Sequence, residues 1–410
     1  MSNLARRTIF TICWLLIFWG MTQRPAMAQP SISLSDGAYI SLITIYPGNQ
    51  AHNLFGHSAL RVRDPYHGFD LLYNYGTFQF DYKFLPKFIY GRLDYMLWAS
   101  DIRRELQRYQ NDGRSIIEQF IALDQDQKQA AFDFLQVNAR KENRVYQYDF
   151  LFDNCSTRIR DVFEHILGDN LSFSEAAGPR QSFRHLLDPY IQSRPFLDAG
   201  IDMALAIPTD AIATSREEMF LPINLMEAFD GATVVIDGKT VPFVSNTVDL
   251  YRNEKTITTD KPPTLYVVMW LIFIMALWVS NGTSPRAIWA RKWFDRFLYG
   301  FSGFAGLLAL FLWLVAIHEV TNYNWNLLWA WPTHLVALWS LAKSPTWLKP
   351  YMRVTAIVLF ITILGWFFWP QEMHTAYIPL LMAIAVRSIW WGWKNDETAN
   401  TEAAKAPAVT

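Results

Sequence analysis

Cys155 opens the most chemically suggestive stretch of this chain, Asp153-Asn154-Cys155-Ser156-Thr157. An Asx cap residue precedes it. Ile159, Val162, Phe163, Ile166 and Leu167 then recur at helical spacing until Gly168, so the thiol is expected in the first turn of a helix over 155–167. Free amides and the helix dipole at such a position favour a thiolate, and the same amides can point at an oxyanion formed beside the sulfur. A thiol nucleophile needs a base, for which histidine suits neutral pH. His57 starts a β-patterned run directly after Phe55-Gly56, where glycine allows another backbone or a substrate to approach. His165, ten residues beyond Cys155 on the same helix, lies about 15 Å along its axis and cannot reach the sulfur. His67 and His185 lie in polar stretches that read as solvated, and His52 lies in a loop. Asn74 is the candidate to orient the imidazole, with Tyr75 and Asp70 as rivals. Asn154, Ser156 and Gly56 are the residues expected against substrate.

The elements that must position these groups read as an α+β domain. Residues 38–46, 57–63, 70–75 and 115–123 carry strand patterns, and 124–142 an amphipathic helix. Residues 77–112 are aromatic-rich and carry no clear period, and 144–152 look extended. Thr214 precedes acids in a first helical turn, and 232–244 suggest a hairpin around Asp237-Gly238. There is no metal-ligand spacing, Walker loop or Rossmann glycine pattern, so neither cofactor nor metal is expected.

Both flanks of this domain point to a membrane. Arg6 and Arg7, an apolar run and Ala26-Met27-Ala28 resemble a cleavable export signal over 1–28, which would also remove Cys13 and leave Cys155 as the lone thiol. An exported protein lies where thiols usually pair, so an unpaired one asks for a task. Downstream, 15 of the 18 tryptophans fall between Trp270 and Trp393, many near the ends of apolar runs. Five apolar segments can be drawn at about 264–281, 298–317, 325–342, 353–369 and 375–393, each near the ~20 residues a spanning helix needs. Arg387 interrupts the fifth and is expected to snorkel to an interface. Arg286, Arg291, Lys292 and Arg296 fill one loop, Lys343, Lys349 and Arg353 another, and Lys394 follows the last segment. The two intervening loops, 318–324 and 370–374, hold no Lys or Arg. The positive-inside rule then places the soluble domain outside. The boundaries expected are 29–245 for that domain, 246–262 for a linker, 263–393 for the five-helix membrane domain and 394–410 for a disordered cytoplasmic tail. Trp325, Trp329 and Trp331 are expected in an interface belt, and His318-Glu319 and Glu372-Met373-His374 as polar loop ends close to where the soluble domain docks. A net charge of -1 gives no electrostatic case for a nucleic-acid partner.

The order histidine, polar residue, cysteine resembles a permuted papain-type arrangement, as in the lecithin:retinol acyltransferase group. Phe55-Gly56-His57-Ser58-Ala59-Leu60-Arg61-Val62, Phe152-Asp153-Asn154-Cys155-Ser156-Thr157 and Glu218-Met219-Phe220-Leu221-Pro222, together with the five-segment tail, resemble the Lnb-type lipoprotein N-acyltransferases, the lyso-form lipoprotein intramolecular transacylases. That resemblance implies an antiparallel sheet with packed helices on the periplasmic face of a bacterial inner membrane. It implies diacylated lipoproteins and membrane lipid as partners, with an acyl chain moved from the diacylglycerol to the N-terminal cysteine amine through a Cys155 thioester. Two other readings follow from the residues alone: an envelope cysteine peptidase or amidase with water as acceptor, and a membrane-anchored binding protein in which Cys155 is core.

Overall fold

Alternating β-branched and aromatic residues build a seven-stranded sheet in the N-terminal half. The computed structural model describes residues 32–78, 82–92, 94–175, 178–253 and 260–394. The export-signal segment 1–28, including Cys13, and the tail beyond Lys394 lie outside the described residues. The strands are β1 (Tyr39–Ile45), β2 (His57–Asp64), β3 (Phe69–Thr77), β4 (Asp94–Asp101), β5 (Ile116–Ile121), β6 (Val145–Gln147) and, after the small strands β7 (Leu171–Ser172), β8 (Thr233–Ile236) and β9 (Lys239–Pro242), β10 (Val244–Tyr251). The main sheet runs β10-β5-β1-β2-β3-β4-β6, with every neighbouring pair antiparallel. β10 corrects the expected linker: 246–251 form the sheet's edge strand. Its outward residues are polar, so the strand is indistinguishable from a linker by hydropathy.

Helices cover both faces, which is why β1 is buried almost throughout. On one face, α3 (Gln125–Ala139), α4 (Cys155–Leu167) and α8 (Pro222–Asp230) contribute Phe132, Leu135, Ile159, Val162, Phe163, Leu225 and Phe229, packed on Leu42, Leu60, Val62 and Tyr73. On the other, α2 (Ile102–Asn111) packs Ile102 and Tyr109 against Ile43, Ala59 and Leu72. The unassigned 77–112 segment thus holds α1 (Phe84–Tyr90), β4 and α2. Helices α5 (Phe183–Ile191), α6 (Pro195–Ala204) and α7 (Ser215–Glu218) complete the soluble half, with Thr214 capping α7 through Glu217.

The C-terminal half is helical. α9 (Thr264–Asn281) and α10 (Pro285–Leu314) are long and apolar enough to cross a membrane. α12 (Leu348–Leu364) and α13 (Tyr377–Ile389) pack with them, α13 lying against both α9 and α12, and a π-turn carries the chain to Lys394. The third apolar segment does not form one helix. It divides into a turn at Trp325–Leu328 and the short α11 (His334–Ser340), with Pro332 between. The cause is a close approach: a side-chain carbon at Gly306 of α10 would overlap the Ala330 carbonyl, so this segment packs by its backbone. Trp329 leaves the expected belt as well. It is fully buried, its indole N–H donating to Asn326 Oδ1 at 3.0 Å.

Arg387 does not snorkel. It is completely buried and makes a bidentate pair with Asp295 (2.6 and 2.8 Å), with Nη1 donating to Ser280 Oγ at 2.7 Å. The nearest carboxylate, one helix away, offers partners that an interface would have had to supply, and a buried charge without them is costly. Outward, α9, α10 and α12 expose Val267, Leu271, Ile274, Phe304, Leu307 and Phe360, an apolar surface suited to lipid.

The two loops free of Lys and Arg are the docking points between the halves. Ile317 N–H donates to the Tyr90 carbonyl (2.9 Å), and His318 Nε2 to that of Phe88 (2.7 Å). On the other side, Gln371 donates to the Leu205 carbonyl (3.0 Å), Tyr377 to that of Ala199 (2.7 Å) and Asn324 to that of Met203 (2.7 Å). His185 and Glu372 pair at 3.1 Å.

Candidate functional site

The site begins with a defect in the sheet. β1 pairs with β2 down to Ile45–His57, whereas the β2–β3 register runs only from Asp64–Phe69 to Leu60–Tyr73. Both strands continue beyond that point, but β3 is irregular between Asn74 and Thr77, with Gly76 at φ +84°, and the strands part. The start of α4 fills the opening. A side-chain carbon at Gly76 would touch the Cys155 Cβ at 3.7 Å, and the amide of Ser58 points at the Cys155 sulfur.

Asn154 builds the helix start. Its Oδ1 accepts from the amides of Ser156 (2.8 Å) and Thr157 (3.0 Å), and its Nδ2 donates to the carbonyls of Phe150 (2.8 Å) and Phe220 (2.9 Å). All of its hydrogen-bonding capacity is spent inside the protein, so the structure makes this residue scaffold where substrate contact was expected. Ser156 is also buried. Its hydroxyl lies 3.1 Å from that of Ser58 and 4.0 Å from the Cys155 sulfur, tying the head of α4 to β2. Gly56, at φ +85°, is met by the Ile45 carbonyl and Pro222. Its glycine serves a backbone turn.

His57 and Asn74 reach across the opening from neighbouring strands, with His57 Nε2 and Asn74 Oδ1 3.2 Å apart. An amide oxygen only accepts, so Nε2 carries the proton and Nδ1 keeps its lone pair. The rivals are otherwise engaged. Asp70 is held by Arg61 at 2.7 Å, and Tyr75 is buried against the edge of Tyr146. His67 pairs with Asp64, His165 packs at a tilt on Phe134, His185 binds Glu372 and His52 is exposed.

By strand alternation His57 is directed to the α2 face while α4 packs on the opposite one. The thiol and the imidazole share aromatic and charged neighbours. Tyr109 lies 6.3 Å from the His57 ring and also feels charge at Cys155; Arg114 acts on His57 and is acted on by Cys155. Burial pushes the Cys155 thiol up, against the opposing pull of the Ser58, Cys155 and Ser156 amides and the Ser156 hydroxyl. That is opposite to the lowering expected from the helix start: lost solvation outweighs these hydrogen bonds. Burial, then the positive charge of Arg114, push His57 down to about 4. At rest Cys155 is a neutral thiol and His57 a neutral imidazole.

Aromatic rings pack around Cys155. Tyr95 and Tyr148 stack at 4.3 Å, and Phe78, Phe84 and Phe88 continue the row at 5.0, 5.0 and 6.0 Å steps to His318 on a docking loop. Tyr146 stands beside Cys155, with the Arg158 guanidinium 3.7 Å above its ring. Sequence patterning gave no cue to Tyr146, which sits in an undistinguished extended stretch.

Among the described residues, one group could hold a metal: Asp198 and Asp202 of α6 with His374, all buried. His374 Nδ1 accepts the Ala376 amide proton (3.2 Å), so its Nε2 carries the hydrogen and faces Asp198 at 3.5 Å. A protonated nitrogen has no lone pair for a metal, and the cluster reads as part of the docking contact.

Two family models match the chain: the Lnb N-terminal periplasmic domain over residues 31–188 and the Lnb transmembrane domain over residues 254–398. No curated protein and no solved structure matches it.

Proposed function

The chain belongs to the Lnb-type family, as a membrane protein with a periplasmic N-terminal domain, and from that premise we propose that it is a lipoprotein N-acyltransferase using Cys155 as nucleophile. The substrate is a lipoprotein whose N-terminal cysteine carries a thioether-linked diacylglycerol. Cys155 gives its proton to His57 Nδ1 as sulfur adds to the carbonyl of the sn-2 ester. Collapse expels the glyceride oxygen, which takes the proton from His57 and leaves a Cys155 thioester. The lipoprotein's own α-amine then attacks, again with His57 as proton acceptor, and expels the thiol. The product is an N-acylated lyso-lipoprotein.

One observation supports this reading: Cys155 heads the helix that meets the sheet where β2 and β3 part, and at the end of β2 the His57 Nε2 is engaged by Asn74 (3.2 Å). The depressed His57 and raised Cys155 favour proton removal during attack rather than from a standing ion pair. Asn74 acts by holding the tautomer. The sequence order and the helix-on-sheet packing support a permuted papain-like domain, taken to extend from 29 through β10, with the membrane domain over 263–393 of an inner membrane. The aromatic rings around Cys155 keep water sparse at the thioester, which favours the amine over hydrolysis.

Mass spectrometry of lipoprotein N-termini tests the proposal in a host depleted of its own N-acyltransferase. Expression of the protein should convert diacylated to N-acylated lyso-forms, and Cys155→Ser should abolish the conversion. Unchanged acylation with well-expressed wild-type protein would sink it.

A further inference from the structure

We infer that Tyr146 is a catalytic residue, donating its phenolic hydrogen bond to the oxyanion of the tetrahedral intermediates formed at Cys155. The inference rests on the acyl-transfer reading above and assigns a role that reading leaves empty. Addition of sulfur to the ester carbonyl pushes an electron pair onto oxygen, and that oxygen needs donors already in place. The Ser156 amide is spent on Asn154 Oδ1, and the amides of Ser58 and Cys155 act on the sulfur. Ser156 and Ser58 bond each other, Asn74 faces His57, and all of Asn154's capacity is spent. Of the buried polar atoms here without a partner among the described residues, which include Thr44 Oγ1 and Arg114 Nη2, the Tyr146 hydroxyl is the one that adjoins Gly76 and the nucleophile. Tyr146 is only 9% exposed. An unmet buried hydroxyl costs stability and asks for an explanation.

Its placement supplies one. A single carbon added at Gly76 would lie 3.7 Å from the Cys155 Cβ and 3.9 Å from the Tyr146 hydroxyl oxygen, so the phenol and the nucleophile flank the same small space. The ring is clamped. The Arg158 guanidinium sits 3.7 Å over its face and is itself fixed by a bidentate pair with Asp153 (2.5 and 2.6 Å), two residues before the nucleophile. Tyr75 meets the ring edge-on at 6.2 Å. A cation over the face draws electron density from the ring and strengthens the O–H as a donor. Desolvation keeps the phenol protonated at neutral pH, so it donates without transferring its proton. Gly76 leaves room for the carbonyl oxygen between the two groups.

The test uses the full-length enzyme in detergent micelles with a synthetic diacylated lipopeptide. Tyr146→Phe keeps the ring, its cation contact and its packing. It should lower kcat by about a hundred- to a thousand-fold with KM within about threefold, while the rate of Cys155 alkylation by iodoacetamide, a displacement without an oxyanion, stays unchanged. Wild-type kcat in Tyr146→Phe, with Cys155→Ser inactive, overturns the inference and leaves acyl transfer standing. Parallel loss of turnover and alkylation also overturns it, since Tyr146 would then act on the thiol. Acyl transfer surviving in Cys155→Ser would instead overturn the parent reading. Fluorotyrosine at position 146 retains the fold, makes a stronger donor and should raise the acylation rate; a fall would count against the assignment.

Discussion

Titrating the thiol of the intact enzyme probes the central pair directly. His57 is displaced from 6.5 to about 4, chiefly by burial and then by Arg114, which disfavours the imidazolium by roughly 3 kcal/mol. Cys155 lies above its ordinary 9.0. Moving a proton from this thiol to this imidazole therefore runs uphill on both sides, less whatever mutual attraction of the ions returns. Alkylation of Cys155 by iodoacetamide should rise about tenfold per pH unit from neutrality to roughly pH 9, with no plateau on the acid side. The acid limb of kcat/KM should fall well below 6.5, toward 4, because the base stays neutral until then. Stability has the same sign. A histidine whose folded value is depressed lends its contribution fully above pH 6.5, and loses it as pH falls from there to about 4. Arg114→Gln removes the second-largest cause and should move the acid limb upward. A flat alkylation rate from about pH 5 to 8 that vanishes in His57→Ala would reveal a standing ion pair and refute the reasoning.

Three further outcomes follow from particular contacts. Asn74→Ala frees the imidazole to rotate and should lower kcat by about one to two orders of magnitude with little change in thermal midpoint, read by steady-state kinetics beside differential scanning fluorimetry. Asn154→Ala removes the cap and strands two buried carbonyls, for a loss of about 2 kcal/mol or more in chemical denaturation; a neutral result would contradict the scaffold role. Arg387→Met leaves Asp295 buried and unpaired, costing about 3–5 kcal/mol, whereas adding Asp295→Leu should restore most of the stability in detergent.

Much of this architecture is readable from residue order. β1, β2 and β3 follow from alternation to within a residue or two at each end, and α4 runs from Cys155 to Leu167 as its cap and apolar spacing require. Local signals suffice there because each element carries its own stop. The parting of β2 from β3 is not local, since it depends on α4 entering the gap, and only the positive φ of Gly76 hints at it. Tyr146 was missed for the same reason, because an orphaned hydroxyl exists only once its neighbours are placed. Asp295 was the available clue to Arg387, an acid beside an apolar run such as a buried arginine would require. The third apolar segment misled because composition does not register Pro332 or the closeness that Gly306 permits.

The seams at Ile317–His318 and at Gln371–Tyr377 pin the soluble half to the membrane half on two sides, each bond ending on a backbone carbonyl. Two such rivets leave little freedom to rock, so the sulfur is carried at a set altitude over the lipid surface. Such a mount works as a depth gauge: bonds at one level of the headgroup region come within range, and those deeper in the oil or out in bulk water do not.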